Sequence, residues 1–271
     1  MVDYINAIII GLIQGLTEFL PVSSSGHLVL SQHLLGVRMP GLTFEIFLHF
    51  GTLVSVFWVF RRRLIDIVKS FLALIKKDQW SRFKTCEDRW FGLLLILGSI
   101  PTAIIAFLLQ DYVTQAFNST LFVGVALLLT GALLWVADVI PGGKKDIGRT
   151  TVLDALFIGI FQGLAIFPGV SRSGATISGS LYRGLDKKTA AEYSFLLSVP
   201  AVLGASLLEV IGLIKDNQMG GDWLFYLVGI VASATAGIFA INFFINLLVK
   251  NRLRYFSIYC WLVGTIVIIF L

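Results

Sequence analysis

Charge is what this chain has least of. Asp, Glu, Lys and Arg make up 14% of its 271 residues, against about 25% in an ordinary soluble domain. That scarcity excludes a soluble globular protein. With 57% hydrophobic residues and a mean hydropathy of +0.88, the chain reads as an integral membrane protein. Cysteine is nearly absent: Cys86 falls in a polar stretch and Cys260 in an apolar run, which excludes a disulfide framework and offers no redox motif. The net charge of +5 is not gathered on a soluble basic face, so nucleic acid is excluded as a partner. The opening MVDYINAIII has neither the basic start nor the small-residue cleavage site of a signal peptide. Its apolar segment is expected to belong to the fold.

What the chain has in abundance is long apolar runs. A helix crosses a bilayer in about 20 residues, and six stretches qualify: 43–60, 91–109, 119–139, 189–213, 223–248 and 255–271. Two others, 5–20 and 152–167, are short, stop at Pro21 and Pro168, and lead through a Ser/Gly turn into another short apolar stretch. Non-helical backbone at membrane depth survives only inside protein or along a cavity. Each therefore reads as a re-entrant helix–turn–helix hairpin, over 5–36 and 152–185. The expected fold is an all-α integral membrane protein, a single membrane domain over 1–271, with six transmembrane helices plus the two hairpins.

The hairpins are copies of one another. GLIQGLTEFLPVSSSGH from Gly11 and GIFQGLAIFPGVSRSGAT from Gly159 align at an offset of 148, pairing Gln14 with Gln162, Phe19 with Phe167, Ser23 with Ser171 and Gly26 with Gly174. A weaker match sets Glu45 in FEIFLHFG near Glu192 in AEYSFLLSVP, extending the repeats to about 5–60 and 152–213. Basic residues mark the cytoplasmic side, and nine of them fall in 61–89, which reads as a cytoplasmic loop. With that loop inside, eighteen of the twenty-one Lys and Arg lie inside and both termini lie outside. Three spans separate the hairpins, so one dips in from outside and the other rises from the cytoplasm. Such inverted repeats place their site where the two halves meet near the midplane, which makes Glu18 and Arg172 expected neighbours in a site opening to the external side.

The differences between the copies carry the chemistry. A carboxylate in a membrane costs about 2.5 to 3.5 kcal/mol even on lenient insertion scales, which makes Glu18 a functional candidate. A bare Glu18–Arg172 clamp would need neither Gln14 one turn earlier nor the run Ser23, Ser24, Ser25 and His27. In the second copy, Ser171, Arg172, Ser173 and Thr176 follow a Pro-Gly break and open a helix. Amides at a helix start and a guanidinium together suit an anion. Phosphate fits best; a carboxylate ligand also fits, and close helix packing accounts for Gly174 but not for the arginine. Ser24 or water is a candidate nucleophile, with His27 or Glu18 taking its proton and Arg172 holding the transferring oxygens. His33 and His49 read as satisfied core histidines.

QGLTEFLPVSSSGH and PGVSRSGATISG together resemble the paired signatures of the undecaprenyl-diphosphate phosphatase family, also called the bacitracin-resistance family. The likeness runs along nearly the whole chain, through FEIFLHFGTL and EYSFLLSVPAVLGA. It implies hydrolysis of undecaprenyl diphosphate to undecaprenyl phosphate and inorganic phosphate at a bacterial inner (plasma) membrane, recycling the cell-wall lipid carrier and conferring bacitracin resistance. By that resemblance Gln14 and Glu18 match the first motif, Ser24 the candidate nucleophile, His27 the histidine, and Ser171, Arg172, Ser173 and Thr176 the phosphate-binding motif; Glu18, Ser24, His27 and Arg172 are expected to be catalytic, and Gln14, Ser23, Ser25, Ser171, Arg172, Ser173 and Thr176 to bind substrate. Many members carry Glu where this chain has Gln14, which weakens any scheme with two carboxylates on one ion. The resemblance still leaves room for magnesium or calcium bridging Glu18 and the diphosphate, and for a homo-oligomer.

Two alternatives stand beside this. The acid-phosphatase-like lipid phosphatases also join SSSGH and SR, but their basic first motif and second catalytic histidine have no counterpart here. A polyprenyl-phosphate flippase is the other, because inverted repeats with broken helices are transporter architecture; Ser24 and His27 supply reactive groups that transport does not need.

Overall fold

The computed structural model describes residues 2–35, 41–75, 85–140, 143–215, 223–250 and 252–271. Among these, the chain is all-helical: α1 (Val2–Phe19), α2 (Ser24–Leu35), α3 (Gly41–Val59), α4 (Arg61–Leu72), α5 (Glu87–Phe117), α6 (Thr120–Val139), α7 (Val152–Leu164), α8 (Arg172–Tyr182), α9 (Lys187–Lys215), α10 (Trp223–Val249) and α11 (Arg254–Phe270). No strand occurs among the described residues beyond one isolated bridge between Lys145 and Leu185.

Among the described residues, four helices are long and apolar enough to cross a membrane: Glu87–Phe117, Thr120–Val139, Lys187–Gly212 and Trp223–Val249. A fifth span results if α3 and α4, which meet at a 79° bend, count as one. At 17 residues, α11 falls just under the length of those four.

The two copied segments do form helix–turn–helix units, α1–α2 and α7–α8. Their neighbours also correspond: α1 packs along α10 and α7 along α5, while α3 meets α10, α9 meets α5, and α6 pairs with α11. Glycine makes the first of these contacts possible. A Cβ on Gly11 would stand 2.7 Å from the carbonyl oxygen of Gly229 and 2.8 Å from Cβ of Ala232. Small residues let helix backbones approach where no water drives association. The aligned glycine of the second copy, Gly159, meets the backbone of Gly98 on α5 in the same way, and Thr102 fastens that contact by donating to the Gly159 carbonyl at 3.0 Å.

The basic stretch 61–89 opens as helix α4 and a short 3-10 turn to Ile75; residues 76–84, like residue 36 at the end of the first hairpin, lie outside the described residues. Ile67, Ser70 and Phe71 of α4 face inward, whereas Ile65, Val68 and Leu72 form an exposed apolar stripe beside exposed Arg61, Arg62 and Lys69. Arg63 anchors the helix: Nη1 lies 2.5 Å from Asp88 and Nη2 2.8 Å from Glu87. Its Nε approaches Glu192 at 3.1 Å, an ion-pair contact without hydrogen-bond geometry.

The open end of the second hairpin is closed by charge. Asp154, fully buried, completes a capping box with Thr151 at the start of α7, accepts from Arg183 at 2.6 Å and lies 3.1 Å from Lys145. A buried carboxylate needs such partners.

Candidate active site

The turns of the two hairpins are built alike. Ser23 Oγ accepts the Gly26 N–H at 3.3 Å and opens α2, while Ser171 Oγ accepts the Gly174 N–H at 3.1 Å and opens α8. Ser is favoured at this position because its oxygen satisfies an amide that the helix leaves bare. Each capping hydroxyl also lies beside the hydroxyl two residues on, 3.3 Å for Ser23 and Ser25 and 3.2 Å for Ser171 and Ser173.

The turns interlock as well. Ser23 Oγ takes a second N–H, from Gly169 at 3.1 Å, and Ser173 donates to the Leu20 carbonyl at 3.2 Å. Thr130 of α6 donates to the Gly169 carbonyl at 3.0 Å and accepts the Ser171 N–H at 3.1 Å. Ser23 holds a left-handed φ of +69°, uncommon outside glycine and a mark of local strain.

This interlock sets Glu18 of the first hairpin against Arg172 of the second. Glu18 Oε1 accepts from Arg172 Nη2 at 2.5 Å; its Oε2 accepts from the Ser24 hydroxyl at 2.6 Å and from the Gln14 amide at 3.0 Å. The His49 ring on α3 brings Nε2 within 4.0 Å of the same Oε2. Arg172 Nη1 is buried and meets no acceptor among the described residues. The guanidinium thus spends one side on the carboxylate and keeps the other.

A cavity of about 400 Å³ opens over this group. Glu18, Ser24, Ser25, Glu45, His49, Ser171 and Arg172 are among its polar residues; Leu28, Val29, Phe117, Ala201 and Val202 give it an apolar wall. Helices α2 and α8 both begin here, at Ser24 and Arg172. Helix starts carry partial positive charge and unpaired amides. A phosphate fits the polar part, and an alkyl chain fits the wall.

The family model for bacitracin resistance protein BacA matches residues 7–266. The chain belongs to this family. Among similar proteins, the undecaprenyl-diphosphatase of Alkaliphilus metalliredigens is 46% identical over 268 residues, 98% of each chain. That of Carboxydothermus hydrogenoformans is 43% identical over 97% of this chain and 96% of its own, and that of Halothermothrix orenii 41% over 98% of each. The turns of both hairpins and every residue around Glu18 lie within the BacA match.

Of the residues singled out from sequence, Glu18, Ser24, Ser25, Ser171 and Arg172 share the cavity. Gln14 and Ser23 are buried behind them, and Ser173 and Thr176 are buried along α8, where Thr176 pairs with Ser194 of α9. His27 stands apart from the cavity lining: Nδ1 lies 2.8 Å from the Ser23 carbonyl and Nε2 2.7 Å from the Tyr259 hydroxyl. A carbonyl only accepts, so Nδ1 bears the hydrogen and Tyr259 donates to Nε2. Sequence reasoning missed His49, Gln162 and Thr102 as cavity residues. For Gln162 a signal existed, since it aligns with Gln14.

The donor set around Glu18 does not compose a protein-built cation site. Both carboxylate oxygens already accept from Arg172, Ser24 and Gln14, and among the described residues no group of three or more His, Cys, Asp or Glu is placed to hold a metal.

Proposed function

We propose that this chain is a multi-pass membrane phosphatase that hydrolyses undecaprenyl diphosphate to undecaprenyl phosphate and inorganic phosphate. One observation carries the reading: a hydroxyl, its carboxylate acceptor and a half-free guanidinium meet in a cavity with an apolar wall. The names of the relatives agree with it. The flippase alternative finds no comparable support.

In this reading Arg172 Nη1 and the opening amides of α2 and α8 hold the distal phosphate. Ser24 Oγ attacks its phosphorus, passing its proton to Glu18 2.6 Å away, and the bond to the lipid-phosphate oxygen breaks. Glu18 releases that proton to the departing lipid phosphate; water then attacks the phosphoserine, giving a proton to Glu18, which passes it to the Ser24 oxygen as inorganic phosphate departs. Developing negative charge on the equatorial oxygens is met by donors already in place, typically the largest share of such catalysis. His27 acts as a positioning residue, its ring bracing the carbonyl of strained Ser23. Gln14, Ser23, Ser173 and Thr176 act at the same remove, fixing the carboxylate and the two turns. A divalent cation, in this reading, enters as a companion of the diphosphate rather than as a resident of the protein.

We assign the finer topology on the same footing. The protein lies in the bacterial plasma membrane with α3, α5, α6, α9, α10 and α11 as six spans, α1–α2 and α7–α8 as oppositely oriented re-entrant hairpins, and both termini outside. Helix α11, roughly 26 Å long at 1.5 Å per residue, suits a thin or locally compressed core. Helix α4, with its apolar stripe beside basic residues, lies along the cytoplasmic surface. The cavity then opens outward.

Phosphate release by purified protein in detergent tests the activity, and absence of release from undecaprenyl diphosphate rejects it. A cysteine at Ser25 tests the topology: labelling by an impermeant reagent from outside supports it, and labelling only from the cytoplasm overturns it.

A further inference from the structure

The His27 ring is gripped on both nitrogens. Nδ1 lies 2.8 Å from the carbonyl oxygen of Ser23, one turn back, and Nε2 lies 2.7 Å from the hydroxyl of Tyr259 on α11. A carbonyl oxygen only accepts, so Nδ1 bears the hydrogen, Nε2 offers its lone pair and Tyr259 donates. The two rings lie within 10° of parallel, their centroids 5.7 Å apart.

Helix α11 is itself firmly seated. It packs along α6, where a Cβ on Gly264 would stand 2.8 Å from the Gly124 carbonyl oxygen and the Trp261 indole donates to the Leu128 carbonyl at 3.1 Å. At its start, Asp138 of α6 accepts the Leu253 N–H at 3.1 Å. Beside Tyr259, buried Cys260 rests on the first hairpin, its Sγ 3.6 Å from the Pro21 carbonyl oxygen. One helix pair thus reaches both turns of the site. From α6, Thr130 bonds directly to Gly169 and Ser171 of the second turn; from α11, Tyr259 reaches the first turn through His27 and the Ser23 carbonyl.

The residue at the end of that chain of contacts has little freedom. Ser23 holds φ at +69°, accepts the N–H groups of Gly26 and Gly169, and immediately precedes Ser24. Without a donor at Nε2, the neutral imidazole can carry its hydrogen there, and Nδ1 then turns a lone pair toward the Ser23 carbonyl oxygen. Two acceptors at that separation repel, so either the ring or the turn must move.

Building on the phosphatase reading, we propose that Tyr259 is a positioning residue for the reaction. Its hydroxyl fixes the His27 tautomer that holds the Ser23 carbonyl, and through that turn the placement of Ser24 against Glu18. A tyrosine whose hydroxyl merely needed a partner among apolar neighbours would make the same bond, but the chemistry at Ser24 would be indifferent to its loss.

Tyr259→Phe keeps the ring and removes only the donor, and two measurements on it decide the matter. Phosphate release from undecaprenyl diphosphate should fall roughly 10- to 100-fold in kcat with little change in KM. The second is nitrogen NMR of histidine-labelled protein in detergent at about pH 8, where an ordinary imidazole is neutral. His27, assigned by the signals that His27→Gln lacks, should carry its hydrogen on Nδ1 in wild type, and that hydrogen should move toward Nε2 in Tyr259→Phe. Wild-type kcat in the variant overturns the proposal, and so do unchanged His27 resonances. If wild type itself releases no phosphate, it is the phosphatase reading that fails; the resonances still show by themselves whether Tyr259 sets the tautomer.

Discussion

Arg172 reaches Glu18 across 154 positions of sequence, Nη2 to Oε1 at 2.5 Å, while its Nη1 remains buried without an acceptor. The contact joins the two hairpins and leaves one buried donor unused. A residue that only clamped would be better served by a bidentate pair, which guanidinium and carboxylate readily form. The half-used geometry is what separates a binding site from a strut.

Removing one partner of this pair leaves the other charge buried, which typically costs about 3 to 5 kcal/mol, more than removing both. Glu18→Gln and Arg172→Gln should therefore each lower the melting temperature in detergent, and the double variant should melt no lower than the worse single one. Additive losses in a double-mutant cycle would show that the two groups are not coupled.

Ser24 is assigned as nucleophile because its hydroxyl lies 2.6 Å from the Glu18 carboxylate. Ser24→Ala should reduce kcat by at least about 1,000-fold with the fold intact. Acid-quenched wild type given substrate labelled in the distal phosphate should carry label on the protein. A Ser24→Ala enzyme within tenfold of wild type would shift the attack to water.

Ser23 serves both turns through one oxygen, taking N–H groups from Gly26 and Gly169. Ser23→Ala leaves both without that acceptor and keeps the strained φ of +69°, so a loss of roughly 2 kcal/mol is expected. Ser23→Gly relieves the strain and should lose less. Melting curves that rank them in the opposite order would contradict the assignment of strain.

The contact between α1 and α10 depends on the absence of a side chain at Gly11, where a Cβ would meet the Gly229 carbonyl oxygen at 2.7 Å. Gly11→Val should destabilise by about 1 to 3 kcal/mol. An unchanged melting temperature would mean that the helices adjust without cost.

The central pairing was legible in the sequence because duplication and charge are both local signals. Two copied motifs, each stopping at a proline, gave the hairpins, and the lone Arg172 in one copy pointed to Glu18 in the other. What stayed hidden depends on distant partners. His27 is marked by its place in SSSGH, while the partner of its ring, Tyr259, lies 232 positions away. His49 looked ordinary because its cavity is walled by six other helices. Helix α4 was obscured for another reason: Arg61, Arg62 and Arg63 dominate the segment by count, although Ile65, Val68 and Leu72 already follow helical spacing.

The account rests on one phosphate site shared between two hairpins, and phosphate release from undecaprenyl diphosphate by purified wild type, Glu18→Gln and Arg172→Lys tests it most directly. Wild type should release phosphate, and each variant should lose at least about 100-fold in kcat/KM. Circular dichroism should show the helical content of both variants unchanged. Wild-type turnover in either folded variant would contradict the account.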